Sequence, residues 1–245
     1  LALLADAAEE HIDWPRLLAL CEKEPPALPA RAEMPPARVR IAVAQDEAFC
    51  FIYAETLEAF RDAGAEVVFF SPLRDTALPE NIGGLYLPGG YPELHARELS
   101  GNTSLLREIK QKIESGLPTA AECGGFLYLG QSLTDAEGQS WPMAGVLPGE
   151  AKDAGRLVRF GYAALSADSD SLLFRAGESF PVHEFHHWDS TANGVALAAK
   201  KPVGGAAWRC GFVNEHFYAG FPHLYWAGTP LPQRFAAAAF CSVMV

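Results

Sequence analysis

What the chain lacks narrows its possible roles first. No run approaches the roughly 20 apolar residues that cross a bilayer, and the opening segment, with early acids and no basic stretch, does not read as a secretory leader. Basic charge is scarce: 19 Lys and Arg stand against 30 Asp and Glu, for a net charge of −11. That balance argues against nucleic acid and anionic membrane as partners. The five cysteines, Cys21, Cys50, Cys123, Cys210 and Cys241, form an odd, scattered set without a CxxC pair. A disulfide framework or zinc knuckle is therefore not expected, and a reducing cytoplasm is. Neither GxxxxGK[ST] nor GxGxxG occurs, so no nucleotide-binding loop is read in this chain. There is no internal repeat. What is present, 49% hydrophobic and 20% charged residues over 245 positions, suits a soluble α/β domain with an appendage.

The pattern along the chain divides it in three. Residues 1–12 read as a helix that is already under way at Leu1, without Met. A second short helix follows, with Asp13 as N-cap and Pro15 in its first turn. Residues 1–23 are expected to be the helical remnant of a junction to a missing N-terminal domain. Residues 24–38, with Pro25, Pro26, Pro29, Pro35 and Pro36, read as a semi-rigid linker. From residue 39 to 245 strands and helices alternate. Val39–Ala44 is a buried strand, 51–63 a helix closed by Gly64, and Ala65–Phe70 the next strand. A short strand over 84–87, a helix over 105–115 and a strand over 119–121 follow. Short apolar strands separated by helices imply a mainly parallel sheet flanked by helices, with right-handed crossovers. Residues 157–221 read as an antiparallel extension, and 230–245 as a closing helix.

One segment concentrates the chemistry. The apolar strand over Leu117 to Ala121 runs into Glu122-Cys123-Gly124-Gly125 and then a helix. A cysteine at a sharp strand-to-helix turn is held in a strained backbone with its sulfur exposed above the sheet. Gly124 N–H at the helix start is placed to stabilise an oxyanion, and the helix N-terminus favours a thiolate. The plain alternative is a buried cysteine with glycines that only make the turn. A second loop, Pro88-Gly89-Gly90-Tyr91-Pro92-Glu93, lies at another strand's carboxyl end, where open sheets bind ligands. Gly89 or Gly90 could supply a second oxyanion N–H there, or simply turn the chain.

A thiol needs a neighbouring imidazole to act as a nucleophile at neutral pH. Two places offer one. Val182-His183-Glu184-Phe185-His186-His187 is rich in histidine, although His183 and His186 on one strand point to opposite faces and do not suit a shared metal. The other is His223, in Phe221-Pro222-His223-Leu224. Spacing alone does not choose between them.

Taken together and in this order, Leu87-Pro88-Gly89-Gly90-Tyr91-Pro92-Glu93-Leu94, Ala121-Glu122-Cys123-Gly124-Gly125 and His183-Glu184-Phe185-His186 resemble the C-terminal glutaminase domain of the cobyrinate or hydrogenobyrinate a,c-diamide synthases. The resemblance runs from about Val39 to the C-terminus. It implies a class I glutamine amidotransferase fold, flavodoxin-like, with L-glutamine as amido donor. It implies Cys123 as nucleophile, His223 as base, backbone N–H groups of Gly124, Gly90 and Gly89 as oxyanion hole, and His183, Glu184 and His186 as pocket wall or reserve base. No cofactor or metal is implied in this chain. ATP and Mg2+ would belong to an N-terminal synthetase domain of the same polypeptide, which also binds the corrinoid acid acceptor. Pro222 departs from the family pattern, fixing φ beside the base. No acidic third member is implied, and Glu122 is expected to face away from the nucleophile because adjacent strand residues alternate. Sister readings are the glutaminase domain of cobyric acid synthase or of another tetrapyrrole diamide synthase. Readings of another class are a free-standing cysteine hydrolase and an inactive interaction domain.

Overall fold

The computed structural model describes residues 1–24 and 36–244, and most of the expected linker lies outside them. The chain forms two units, Leu1–Glu33 and Met34–Val245. The first holds helices α1 (Ala2–His11) and α2 (Trp14–Cys21). Asp13 caps α2 by accepting from the Arg16 N–H at 3.1 Å, as its sequence position suggests. Neither helix buries a residue.

The second unit begins with β1 (Val39–Ala44), α3 (Ala54–Asp62), β2 (Ala65–Phe70) and β3 (Ile82–Leu87). A 3-10 turn (Pro92–His95), α4 (Ala96–Gly101) and α5 (Thr103–Glu114) lead to β4 (Thr119–Glu122) and the short helix α6 (Gly124–Tyr128). Strands β5 (Ser132–Thr134), β6 (Ser140–Pro142), β7 (Glu150–Ala167), β8 (Ser179–Ser190), β9 (Leu197–Lys200), β10 (Ala207–Cys210), β11 (Phe212–Val213), β12 (Phe217–Gly220) and β13 (His223–Leu224) precede α7 (Leu231–Ser242). The first sheet runs β11-β12-β4-β3-β1-β2, parallel throughout except at β11. This is the mainly parallel sheet that the alternating pattern implied. Its strands are nearly continuous apolar runs because helices and the second sheet cover its faces. Ile41, Val43, Leu85 and Leu87 have no exposed surface, and each such side chain contributes about 1.5–3 kcal/mol by leaving water. Helix α7 packs on β3 and β1 through Leu231, Phe235 and Ala239.

The second sheet, β10-β9-β7-β5-β6 with β8 and β13 attached, is antiparallel except where β5 meets β7. It differs from the expected extension at both ends. It starts at Ser132 rather than 157, and β11 and β12 return to the first sheet. Their short apolar runs carry no local mark of which sheet they join, since pairing is chosen by tertiary packing. Helix α3 also starts three residues later than its periodicity suggests, because Phe51 N–H bonds the Gly89 carbonyl at 3.1 Å instead of starting a helical turn.

Candidate active site

The parallel strand β4 delivers Cys123 to its carboxyl end. The residue has φ 48° and ψ −105°, a conformation that costs a non-glycine residue on the order of 1–3 kcal/mol. Three hydrogen bonds hold the turn: Cys123 N–H to the Gly220 carbonyl at 2.9 Å, Gly125 N–H to the Pro88 carbonyl at 2.9 Å, and Leu127 N–H to the Cys123 carbonyl at 3.0 Å. Cys123 is buried at this turn, not exposed above the sheet as its position suggests, because the neighbouring loops and β8 close over it. Burial pushes the Cys210 thiol up to about 12, foremost by desolvation, which keeps it protonated.

His223 arrives from the other direction. The chain leaves the first sheet at Gly220, crosses through Phe221 and Pro222, and pairs as β13 with β8, setting His223 opposite His183. Pro222 makes the crossing, and its carbonyl accepts from Tyr218 Oη at 2.9 Å. Burial works against a charged His223 ring, but the adjacent Cys123 sulfur and the Glu122 carboxylate outweigh it and raise the imidazole to about 10. The ring of Phe51 packs edge-on against it at 4.6 Å.

Glu122 is a correction to the sequence reading. Its carboxylate is buried, accepting from Trp226 Nε1 at 2.8 Å and Tyr86 Oη at 3.1 Å, and its Oε2 lies 3.7 Å from His223 Nδ1. Alternation itself holds, since Glu122 bonds Tyr86 and Trp226 on the face opposite Cys123; its nearness to His223 is what the sequence reading did not foresee. His223 reaches both.

The loop glycines are required by close approach. A Cβ at Gly89 would fall 2.4 Å from His223 Cε1, so any side chain there would push the ring away. A Cβ at Gly124 would fall 3.0 Å from Gly90 N, which places the two loops and their backbone N–H groups side by side. Gly124 is also the first residue of α6, where an N–H has no intrahelical acceptor.

The opposite wall comes from β8. His186 lines the pocket that contains Cys123, and its ring stacks on Phe221 at 3.6 Å and 3°. Its Nδ1 faces the Trp188 carbonyl at 2.6 Å and its Nε2 the Glu184 carboxylate at 3.2 Å. Glu184 is wholly buried and lies 3.4 Å from Arg159 Nε, whose guanidinium sits 5.6 Å from the Phe221 ring. His183 is absent from the lining of this pocket and packs on Phe160 and Tyr162. Desolvation, then the charge of His223, lowers its pKa. The reserve set therefore divides, with His186 lining the pocket, Glu184 behind it and His183 on the far side of His223. Arg159, Trp188 and Phe221 were not singled out from sequence; only their aromatic or basic character could have signalled them. A larger groove of about 550 Å³, bordered by Ile113, Val146, Phe212 and His216, contains neither Cys123 nor His223.

Against known proteins, residues 40–230 match the CobB/CobQ-like glutamine amidotransferase domain. The chain belongs to that family. Cobyrinate a,c-diamide synthase of Caldanaerobacter subterraneus is 40% identical over 88% of the chain and 48% of its own length. The protein of that name from Synechocystis is 40% identical over 96% of the chain and 50% of its own. The chain spans about half the length of the curated relatives it matches. Among solved structures, PurLQS from Thermotoga maritima superposes with a TM-score of 0.53 over 84% of the chain and 97% of the other, at 18% identity. A solved glutamine amidotransferase gives 0.51 over 84% and 99%, at 19% identity. At those identities the likeness establishes the fold, that of the class I glutamine amidotransferases.

Proposed function

We propose that this chain is the glutaminase half of a cobyrinate a,c-diamide synthase, using Cys123 and His223 to release ammonia from L-glutamine. The observation that carries the reading is the strained Cys123 turn with a buried His223 beside it and Glu122 behind. Cys123 thiolate attacks the side-chain carbonyl carbon of glutamine. The negative charge that develops on oxygen meets the N–H groups of Gly124 and the Gly89-Gly90 loop, where each donor is worth about 3 kcal/mol of barrier. With Nδ1 turned toward Glu122, the other ring nitrogen of His223 serves the sulfur and protonates departing ammonia. Water, deprotonated by the same ring, then hydrolyses the glutamyl thioester and regenerates Cys123. Glu122 orients the ring and stabilises its charged form, as the carboxylate of a triad does.

In this reading the ammonia is used elsewhere in a longer polypeptide, in a synthetase domain that binds the corrinoid acid and activates its a and c carboxylates with ATP and Mg2+. Among the described residues no three metal-ligating side chains converge. No helix among the described residues is long and apolar enough to cross a membrane. Five free cysteines fit the reducing cytoplasm in which a catalytic thiol persists. The deciding experiment is Cys123→Ser in the full-length protein. Glutamine hydrolysis should fall to background while the melting temperature stays within about 3 °C, a shift worth less than about 1 kcal/mol for a domain of this size. Retained ammonia release in that variant would refute the mechanism.

A further inference from the structure

One charged group in the pocket has no partner that the glutaminase chemistry supplies. Glu93 sits in the 3-10 turn directly after the Gly89-Gly90 loop and lines the same pocket as Cys123. It is the only carboxylate in that lining, where the other titratable side chains are Tyr91, Cys123, His186 and His187. Among the described residues it enters no salt bridge and no side-chain hydrogen bond with another residue; neither does any cationic group act on its charge. Desolvation, opposed only by its own backbone N–H, raises its carboxyl to about 7. A partly desolvated, uncompensated carboxylate is costly, and the cost is relieved when a ligand brings a cation.

The chemistry of the site says which cation. With the amide carbon of glutamine at Cys123, the far end of that substrate carries an α-ammonium and an α-carboxylate, and these two groups are what distinguish it from a simple primary amide. We propose that Glu93 receives the α-ammonium group and so restricts the pocket to α-amino amides. This rests on the glutaminase reading above and adds its specificity determinant. The carboxylate is held on the segment that also carries the oxyanion loop, so seating the ammonium on Glu93 also draws the Gly90 backbone and the reacting carbonyl into register. Binding of the remote end is thereby used at the reacting centre.

The test compares two amides in the full-length protein: L-glutamine and glutaramate, which has the same chain and carboxylate but no amino group. In the unaltered protein kcat/KM should favour glutamine by about fiftyfold, the scale of one charge-assisted hydrogen bond in a pocket. Glu93→Gln should bring that preference to within about threefold, and Glu93→Asp, which keeps the charge, should restore most of it. A melting curve separates loss of fold from loss of recognition. An undiminished preference in Glu93→Gln, or an equal fall for both amides in a folded variant, overturns the assignment. Should the unaltered protein hydrolyse neither amide, or Cys123→Ser hydrolyse both, the glutaminase reading itself fails and this inference with it. Loss of preference in Glu93→Gln alone leaves the reading standing and confirms the specificity role.

Discussion

The two walls of the pocket are built by opposite means. The Cys123 wall is the end of a parallel sheet whose strand β4 is buried at every residue. Its loops leave no space for a Cβ at Gly89, against the His223 ring, at Gly90, against the Ala48 carbonyl, or at Gly124, against Pro92 and the Gly90 backbone. The facing wall belongs to the long hairpin of β7 and β8, whose register shifts twice, between Asp153 and Val158 and between Val158 and Gly161. Arg159 takes a positive φ of 46° there, and Tyr162 is 72% exposed. A wall of packed backbone fixes atoms where a reaction needs them. A wall of stacked rings and one Arg159–Glu184–His186 chain, closed on the buried Glu184, shapes a cavity. His223 joins the two, because the chain leaves β12 in one sheet and enters β13, where His223 lies, in the other.

That difference is open to direct attack. The largest effect is expected at the junction. His223→Ala should lower kcat for glutamine hydrolysis about 10³-fold, within the range of a lost general acid-base, whereas His183→Ala, one strand away, should cost less than about threefold. Equal losses would mean that the base was assigned to the wrong strand. Next comes Gly89→Ala. Its methyl group would meet the His223 ring at 2.4 Å, and a displacement of that kind costs about a hundredfold in rate. The melting temperature should move little by comparison, and full activity in the variant would show that this wall is not rigid.

Glu122→Gln should have a smaller effect, about ten- to thirtyfold in kcat/KM, since it removes charge and keeps shape. Its signature is in the pH profile. His223 is faced by Cys123, Glu122 and, across the strand pairing, His183. Glu122 helps hold the imidazole at about 10. Removing a negative neighbour disfavours the charged ring, so the alkaline limb of kcat/KM should move to lower pH. An unmoved limb would reduce Glu122 to a structural acceptor for Tyr86 and Trp226.

Legibility followed the same division. The Cys123 turn, the glycine loops and the alternating strands of the parallel sheet are short-range features, each spelled by a handful of adjacent residues. The second sheet was read only as a texture, because β5 pairs with β7 across a gap in sequence that no local pattern encodes. The approach of Glu122 to His223 was missed for a related reason: alternation places Glu122 away from Cys123, but not relative to a residue about a hundred positions on. Phe221 and Arg159 were invisible, since their roles exist only where three elements meet.

By itself the sequence determined the fold class, the strand-end placement of Cys123 and the small residues that let backbones approach it. These depend on φ/ψ preferences and on the period of burial, which are carried by neighbours in the chain. Only the tertiary structure decided which histidine stands beside the sulfur, that Glu122 lies near that histidine, and that Glu93 lines the pocket without a counter-ion among the described residues. Those are matters of contact across dozens of residues, where a charge acquires its meaning from what packing brings near it and from the water that packing removes.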